Sequence, residues 1–289
     1  MSDDIPQTGP ALTARQSSVK RAEGEIRAPR AMTWLGHLRG VLVLALFLGL
    51  WQFYVWVSGI TPFILPGPGR VATTLISSGD VIFSNALVTI GEVLAGLALG
   101  TLFGALTALG LIAAPRLAQI VMPVLVFSQA IPFFALAPLL VIWLGFGMAS
   151  KIAMATLIIY FPVTAAFHDG LKRTDPGLID LAHVMGAAPR RLIWHLRMPA
   201  ALPDFATGLR LATVYAPVGA VIGEWVGGAQ GGLGYLMLLA NGRSRIDLMF
   251  ACLVVLAAFT VALYVAVDRL ARHLEARAAG HRGTGDRQA

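Results

Sequence analysis

The 289-residue chain is 57% hydrophobic and only 13% charged, with a mean hydropathy of +0.74. Soluble domains carry about a quarter charged residues, so lipid must take the place of water around much of this surface. The basic residues behind the net charge of +7 flank apolar runs, which marks membrane topology and speaks against nucleic acid as a partner. The lone Cys252 excludes an internal disulfide.

In chain order, residues 1–33 are polar and rich in Ser, Pro and Arg, and read as a disordered cytoplasmic tail. No cleavable signal peptide is evident, and the first span is expected to be an uncleaved anchor. A crossing needs roughly 20 apolar residues. Leu38–Ser58 meets this and ends in an interfacial aromatic group, Trp51, Phe53, Tyr54 and Trp56. Thr61–Arg70, with three prolines and two glycines, reads as a loop. Ser84–Ala113 is a second span, and Leu117–Gly145 a third, interrupted by Pro123, Pro132 and Pro138. Lys151–Phe167, Phe205–Val226 and Leu248–Val267 complete a set of six.

With both termini cytoplasmic, seventeen of the 22 Lys and Arg residues fall inside. Only Arg70, Lys151, Arg243 and Arg245 fall outside, and Arg210 lies within the fifth span. That asymmetry fits the positive-inside rule. The expected domains are the tail 1–33, a transmembrane region 34–270 and a cytoplasmic basic tail 271–289. Gly96, Gly100 and Gly104, continued by Ala108, line one helix face, for packing within the bundle or for contact between subunits.

The segment 168–203 is the one long cytoplasmic loop, yet it has helical punctuation. Asp175-Pro176 supplies an N-cap and a first-turn proline. Leu178, Leu181, Ala182 and Met185 follow at helical spacing, and Gly186 supplies the stop. Pro189 opens a second short helix bearing Leu192, Ile193 and Leu196 between Arg190, Arg191 and Arg197. Pro199 and Pro203 are expected to close it. Two short helices with an apolar stripe are built to dock against a partner.

These residues resemble the permeases of binding-protein-dependent ABC importers, whose cytoplasmic signature is EAA-x3-G-x9-I-x-LP. Here it stands as Asp180-Leu181-Ala182, three residues, Gly186, nine residues, Leu196, Arg197, Met198-Pro199. The spacing matches throughout, with Asp for Glu and Leu, Leu and Met in the other departures. Leu65-Pro66-Gly67-Pro68, Ile131-Pro132 through Gly147, and Gly223-Glu224-Trp225 with Gly231–Leu236 are similar to the branch that imports taurine, alkanesulfonates, nitrate and pyrimidine vitamin precursors. The resemblance implies an all-α polytopic protein of the type I importer permease fold, with six transmembrane helices and a cytoplasmic coupling loop. It implies that Asp180, Leu181, Ala182, Gly186, Leu196 and Pro199 engage a pair of cytoplasmic ATPase subunits. It also implies a periplasmic solute-binding protein, a second copy of the permease as homodimer partner, and a bacterial inner-membrane location. ATP would be bound by the partner, because this sequence holds no G-x-x-x-x-G-K-[ST] phosphate loop.

Ionisable groups inside spans usually face a bundle interior or a water path. Arg210 is expected to snorkel to the inner interface. Glu224 is expected to order the outer loop through Arg243 or Arg245, or to line the path. Glu92 joins Gln129, Tyr160 and Glu224 as candidates for the translocation path, with Ser128 beside them. A carboxylate at Glu92 would repel an anion. The run Tyr235–Asn241 with Asp247–Ala251 resembles permeases for hydroxymethylpyrimidine or related thiamine precursors, so that solute is the first expectation and a taurine, sulfonate or nitrate type the alternative. A stand-alone secondary carrier would often show internal repeats, and none is found. A membrane enzyme would need convergent catalytic groups, and only scattered carboxylates are available. His168, His183 and His195 lack metal-ligand spacing, and no metal or chain-bound cofactor is expected.

Overall fold

The computed structural model describes residues 32–227 and 231–282, with side-chain surroundings over 40–227 and 231–276; residues 1–31 and 283–289, the bulk of one expected tail and the end of the other, lie outside the described residues. Among the described residues every regular element is a helix. They are α1 (Met32–Ser58), α2 (Pro68–Ser77), α3 (Gly79–Ala113), α4 (Pro115–Ser128), α5 (Phe133–Leu144), α6 (Met148–Lys172), α7 (Pro176–Val184), α8 (Pro189–Leu192), α9 (Met198–Gly227), α10 (Leu233–Gly242) and α11 (Ile246–Arg282). A π-helical turn, Ile193–Arg197, joins α8 to α9. The chain divides at Gly59, and α1 belongs to a unit of its own. That helix is apolar from Gly40 to Ser58, long enough to cross the hydrocarbon.

Helices α3, α6, α9 and α11 are each long and apolar enough to span a membrane. The expected third span is instead two helices, α4 and α5, meeting at 101°. Six crossings therefore result only if this bent pair is taken as one. Of the three prolines in that segment, Pro132 makes the break, because proline lacks an N–H and bars its predecessor from the helical region. Pro123 and Pro138 sit inside α4 and α5 without ending them. The segment expected as a loop to Arg70 turns helical at Pro68, which takes the first helical position of α2. The last helix also outruns its expected end at Val267, continuing to Arg282.

The core lies where α3, α6 and α9 meet, with Val93, Leu97, Ala155, Ile159, Ala212 and Ala216 buried together. Glycine permits this closeness. A Cβ on Gly96 would stand 2.5 Å from Ala155 Cβ, one on Gly100 2.7 Å from Ile159 Cγ2, and one on Gly104 3.0 Å from Val163 Cβ. The α3 stripe is thus spent on α6 of the same chain. Gly208, Gly219 and Gly223 do the same for α9, against Ala166, Ala155 and Lys151 of α6. The pairs show α3 running parallel to α6 and α9 antiparallel to it. Gly96→Ala is expected to cost about 1–3 kcal/mol through overpacking. Gly110→Ala, which meets open space, should stay within about 0.5 kcal/mol. Thermal unfolding of the two variants in detergent checks the difference.

Candidate functional site

Three constellations sit on this frame. The first is a buried polar clasp at the start of α6 and the end of α9. Glu92, Lys151 and Glu224 are all fully buried. Lys151 Nζ lies 3.0 Å from Glu92 Oε1 and donates to the Gly231 carbonyl at 2.9 Å. Glu224 accepts from Thr89 Oγ1 at 2.5 Å and from the backbone N–H groups of Gly234 (2.5 Å) and Tyr235 (3.1 Å). Thr89 Oγ1 accepts from Leu233 N at 2.7 Å, and Asn85 Oδ1 from Gly232 N at 2.9 Å. The orphan donors of the first turn of α10 are thus capped from α3 and α9 rather than by a local side chain. A carboxylate at that end also meets the positive pole of the helix. Gly231 and Gly232 have φ of +83° and +118°, a region open chiefly to glycine, and a side chain on Gly232 would run into the Glu224 carboxylate.

Several expectations change here. Lys151, counted from sequence on the outer side at the start of the fourth span, is fully buried inside the bundle. Glu224 does order the connection after α9, through backbone amides and Thr89; Arg245 instead lies 3.8 Å from Asp247. Glu92 faces a lysine, and this removes the premise that its charge would act alone on a passing anion. Arg210 bonds Asp268 at 2.9 Å and Glu275 at 2.8 Å, so it ties α9 to α11 rather than reaching freely for the interface. Arg272 completes that network on Asp268.

The second constellation is the connection from α6 to α9. Asp175 caps α7, its Oδ1 accepting from Gly177 N at 2.8 Å, with Pro176 at the first helical position. At the other end Ala187 N donates to Ala182 O and Gly186 N to His183 O, both at 2.9 Å, while Gly186 has φ +73°. These two bonds are a Schellman motif with glycine at its left-handed position. Between such caps no residue of α7 is buried. Leu181 is 55% exposed, Val184 87% and Met185 77%. Asp180 and Gly186 are exposed beside them, and Ala182 is half-buried. Leu196 and Pro199 lie further along, where with Leu178 and His195 they line a cavity of about 750 Å³ against the base of α6 and α9.

Pro199 and Pro203 do not end the second short helix, contrary to expectation. The π turn precedes Pro199, whose ring would otherwise meet the carbonyl four residues earlier, and the helix runs on as α9. The two helices flanking the connection are also tightly joined at its root. A Cβ on Gly170 would lie 2.6 Å from Asp204 Cβ, and Arg173 bonds Asp204 at 3.2 Å. The connection that carries α7 is therefore rooted in packed helices rather than in slack chain.

The third constellation is a cavity of about 500 Å³ beside the α4–α5 elbow. Gln129, Phe133, Phe161, Pro162, Leu211 and Tyr215 are among its walls, and no charged side chain lines it. Of the four path candidates, only Gln129 is brought here. Tyr160 points toward α3, where its hydroxyl donates to Thr107 Oγ1 at 3.0 Å; Glu92 and Glu224 belong to the clasp. Phe161 and Tyr215 were not anticipated. Each stands one or two residues ahead of an intrahelical proline (Pro162, Pro217), the only local signal that marks them.

Residues 100–280 match the family described as binding-protein-dependent transport system inner membrane component. A "Probable ABC transporter permease protein" of Haemophilus influenzae is 47% identical over 81% of this chain and 95% of its own length. The formylaminopyrimidine transport permease protein ThiX of Halalkalibacterium halodurans is 34% identical over 81% and 93%. The riboflavin transport system permease protein RibX of Chloroflexus aurantiacus is 35% identical over 89% and 96%. Among solved structures, a chain of the MetNI methionine ABC transporter in an inward-facing conformation superposes with a TM-score of 0.60 at 20% identity, covering 68% of this chain and 98% of that one.

Proposed function

The chain belongs to the binding-protein-dependent transport system inner membrane component family, as a multi-pass permease subunit of an ABC importer, and from that premise we propose that α7 is its coupling helix and the elbow cavity its share of the solute path. The observation that carries this reading is α7 itself, capped at both ends, apolar, and buried nowhere. An ordered helix with such a face needs a partner. The partner is a cytoplasmic ATPase subunit, present as a pair, which binds and hydrolyses ATP while this chain does no chemistry. Asp180, Leu181, Ala182 and Gly186 form the contact. Leu196 and Pro199 support it from behind. Two copies of the permease enclose the path, a periplasmic binding protein delivers solute to the clasp end, and both termini face the cytoplasm.

The solute is a planar, uncharged or weakly basic nitrogen heterocycle of the hydroxymethylpyrimidine class. Support comes from the cavity, which offers ring faces on Phe133, Phe161 and Tyr215 and an amide on Gln129. A desolvated sulfonate would require a cation, and none lines this wall. The likeness to the formylaminopyrimidine permease points the same way. The riboflavin permease is similar to the same degree, and its named solute is also a nitrogen heterocycle. The clasp residues Glu92 and Glu224, and Tyr160, hold the wall of the path in this proposal. The transporter reconstituted with its ATPase and binding protein should accumulate labelled hydroxymethylpyrimidine on ATP addition, and taurine should not compete. Uptake of taurine or an alkanesulfonate in place of the heterocycle sinks the assignment.

A further inference from the structure

A third, smaller hollow lies outside both the coupling surface and the solute cavity. It measures about 270 Å³ and is lined by Leu109, Ala113, Pro189, Arg190, Ile193 and Trp194. Leu109 and Ala113 form the last turns of α3, a helix long enough to cross the bilayer, so the hollow lies at the end of that span, beside the connection from α6 to α9. Its floor is preformed, because Ile193 packs against the buried cluster of Ala108, Ile112 and Phe167. Trp194 is 50% exposed on its rim, the position interfacial tryptophans favour. Arg190 and Arg191 are exposed beside it. From Asp180 to Asp204 the chain carries three arginines and no intervening carboxylate, and among the described residues neither Arg190 nor Arg191 forms an ion pair. The π turn spans Ile193–Arg197, so it sets how both Ile193 and Trp194 are carried on this segment.

We propose that this hollow holds an acyl chain of an anionic phospholipid whose phosphate rests on Arg190 and Arg191. An apolar slot, an interfacial indole and an unopposed pair of guanidinium groups match that molecule at both of its ends. Arginine pairs with phosphate in a fork geometry, and basic groups next to a bilayer attract anionic headgroups. The lipid thereby pins the root of α9 and the second short helix of the connection to the membrane, whichever solute is carried.

The test uses the whole transporter, with and without its ATPase subunit, in phosphatidylcholine nanodiscs doped with brominated lipid. Comparison of the protein with its Trp194→Phe variant isolates the Trp194 fluorescence. Brominated phosphatidylglycerol should quench that component at far lower mole fraction than brominated phosphatidylcholine. Arg190→Gln with Arg191→Gln should weaken the preference by roughly five-fold per arginine, with Trp194 still in place. Equal quenching by the two lipids, before and after the arginine changes, overturns the proposal. So does quenching that vanishes once the ATPase is bound, which would assign the groove to that subunit.

Discussion

Replacing Lys151 with methionine is expected to destabilise the folded chain by about 3–5 kcal/mol, the cost of leaving a buried carboxylate without its counter-charge. Lys151 and Glu92 are fully buried and 3.0 Å apart, so no solvent screens the loss. Thermal unfolding of detergent-solubilised protein reads the effect. The companion change Glu92→Met, added to Lys151→Met, should return most of the lost stability, because an apolar pair of similar volume replaces an ion pair at little net cost. Recovery stops short of complete because the Gly231 carbonyl has lost its donor. Purely additive losses in the two single variants and the double would show that the two side chains are not coupled. The clasp has a functional side as well: Lys151 holds Gly231, and Gly231 leads into the turn whose amides cap on Glu224.

A second large effect is expected at the opposite end. Leu181→Asp together with Val184→Asp should abolish ATP-driven uptake and strip the ATPase from the purified permease. Truncating anchors at the centre of an interface costs 2 kcal/mol or more each, roughly a 30-fold loss in affinity at the least. Putting charge into a desolvated contact costs more again. The fold should not suffer, since both residues are exposed and α7 keeps its caps at Asp175 and Gly186. Co-purification and uptake are the readouts, with unfolding temperature as the control. Unimpaired uptake by a well-folded double variant would remove α7 from the coupling role.

Local features were the ones legible before any coordinates. Asp175, Pro176 and Gly186 act within one helical turn of themselves, and each takes the position its chemistry demands. Pro189 likewise opens a helix where expected. The prolines at 199 and 203 defeat the same logic, because a π turn and the continuing pack of α9 against α6 hold the helix together through them. Glycine spacing marked a face of α3 but left open whether α6 or another subunit would meet it. Polar partners were the least legible. Glu224 finds Thr89 across 135 positions of sequence, and no periodicity announces that.

Sequence by itself determined that this chain lives in lipid, where its long apolar runs lie, and that a capped short helix stands between the fourth and fifth of the expected spans. Those properties follow from apolar length and from caps, which act over a few residues. Tertiary structure alone decided that the third run folds into an elbow, that the α3 glycines serve α6, and that Glu92 is answered by Lys151. It also decided that Phe161 and Tyr215 reach the cavity where Tyr160 does not. Neighbouring residues on a helix point about 100° apart, so which of them meets the cavity depends on how the whole bundle is rotated and packed.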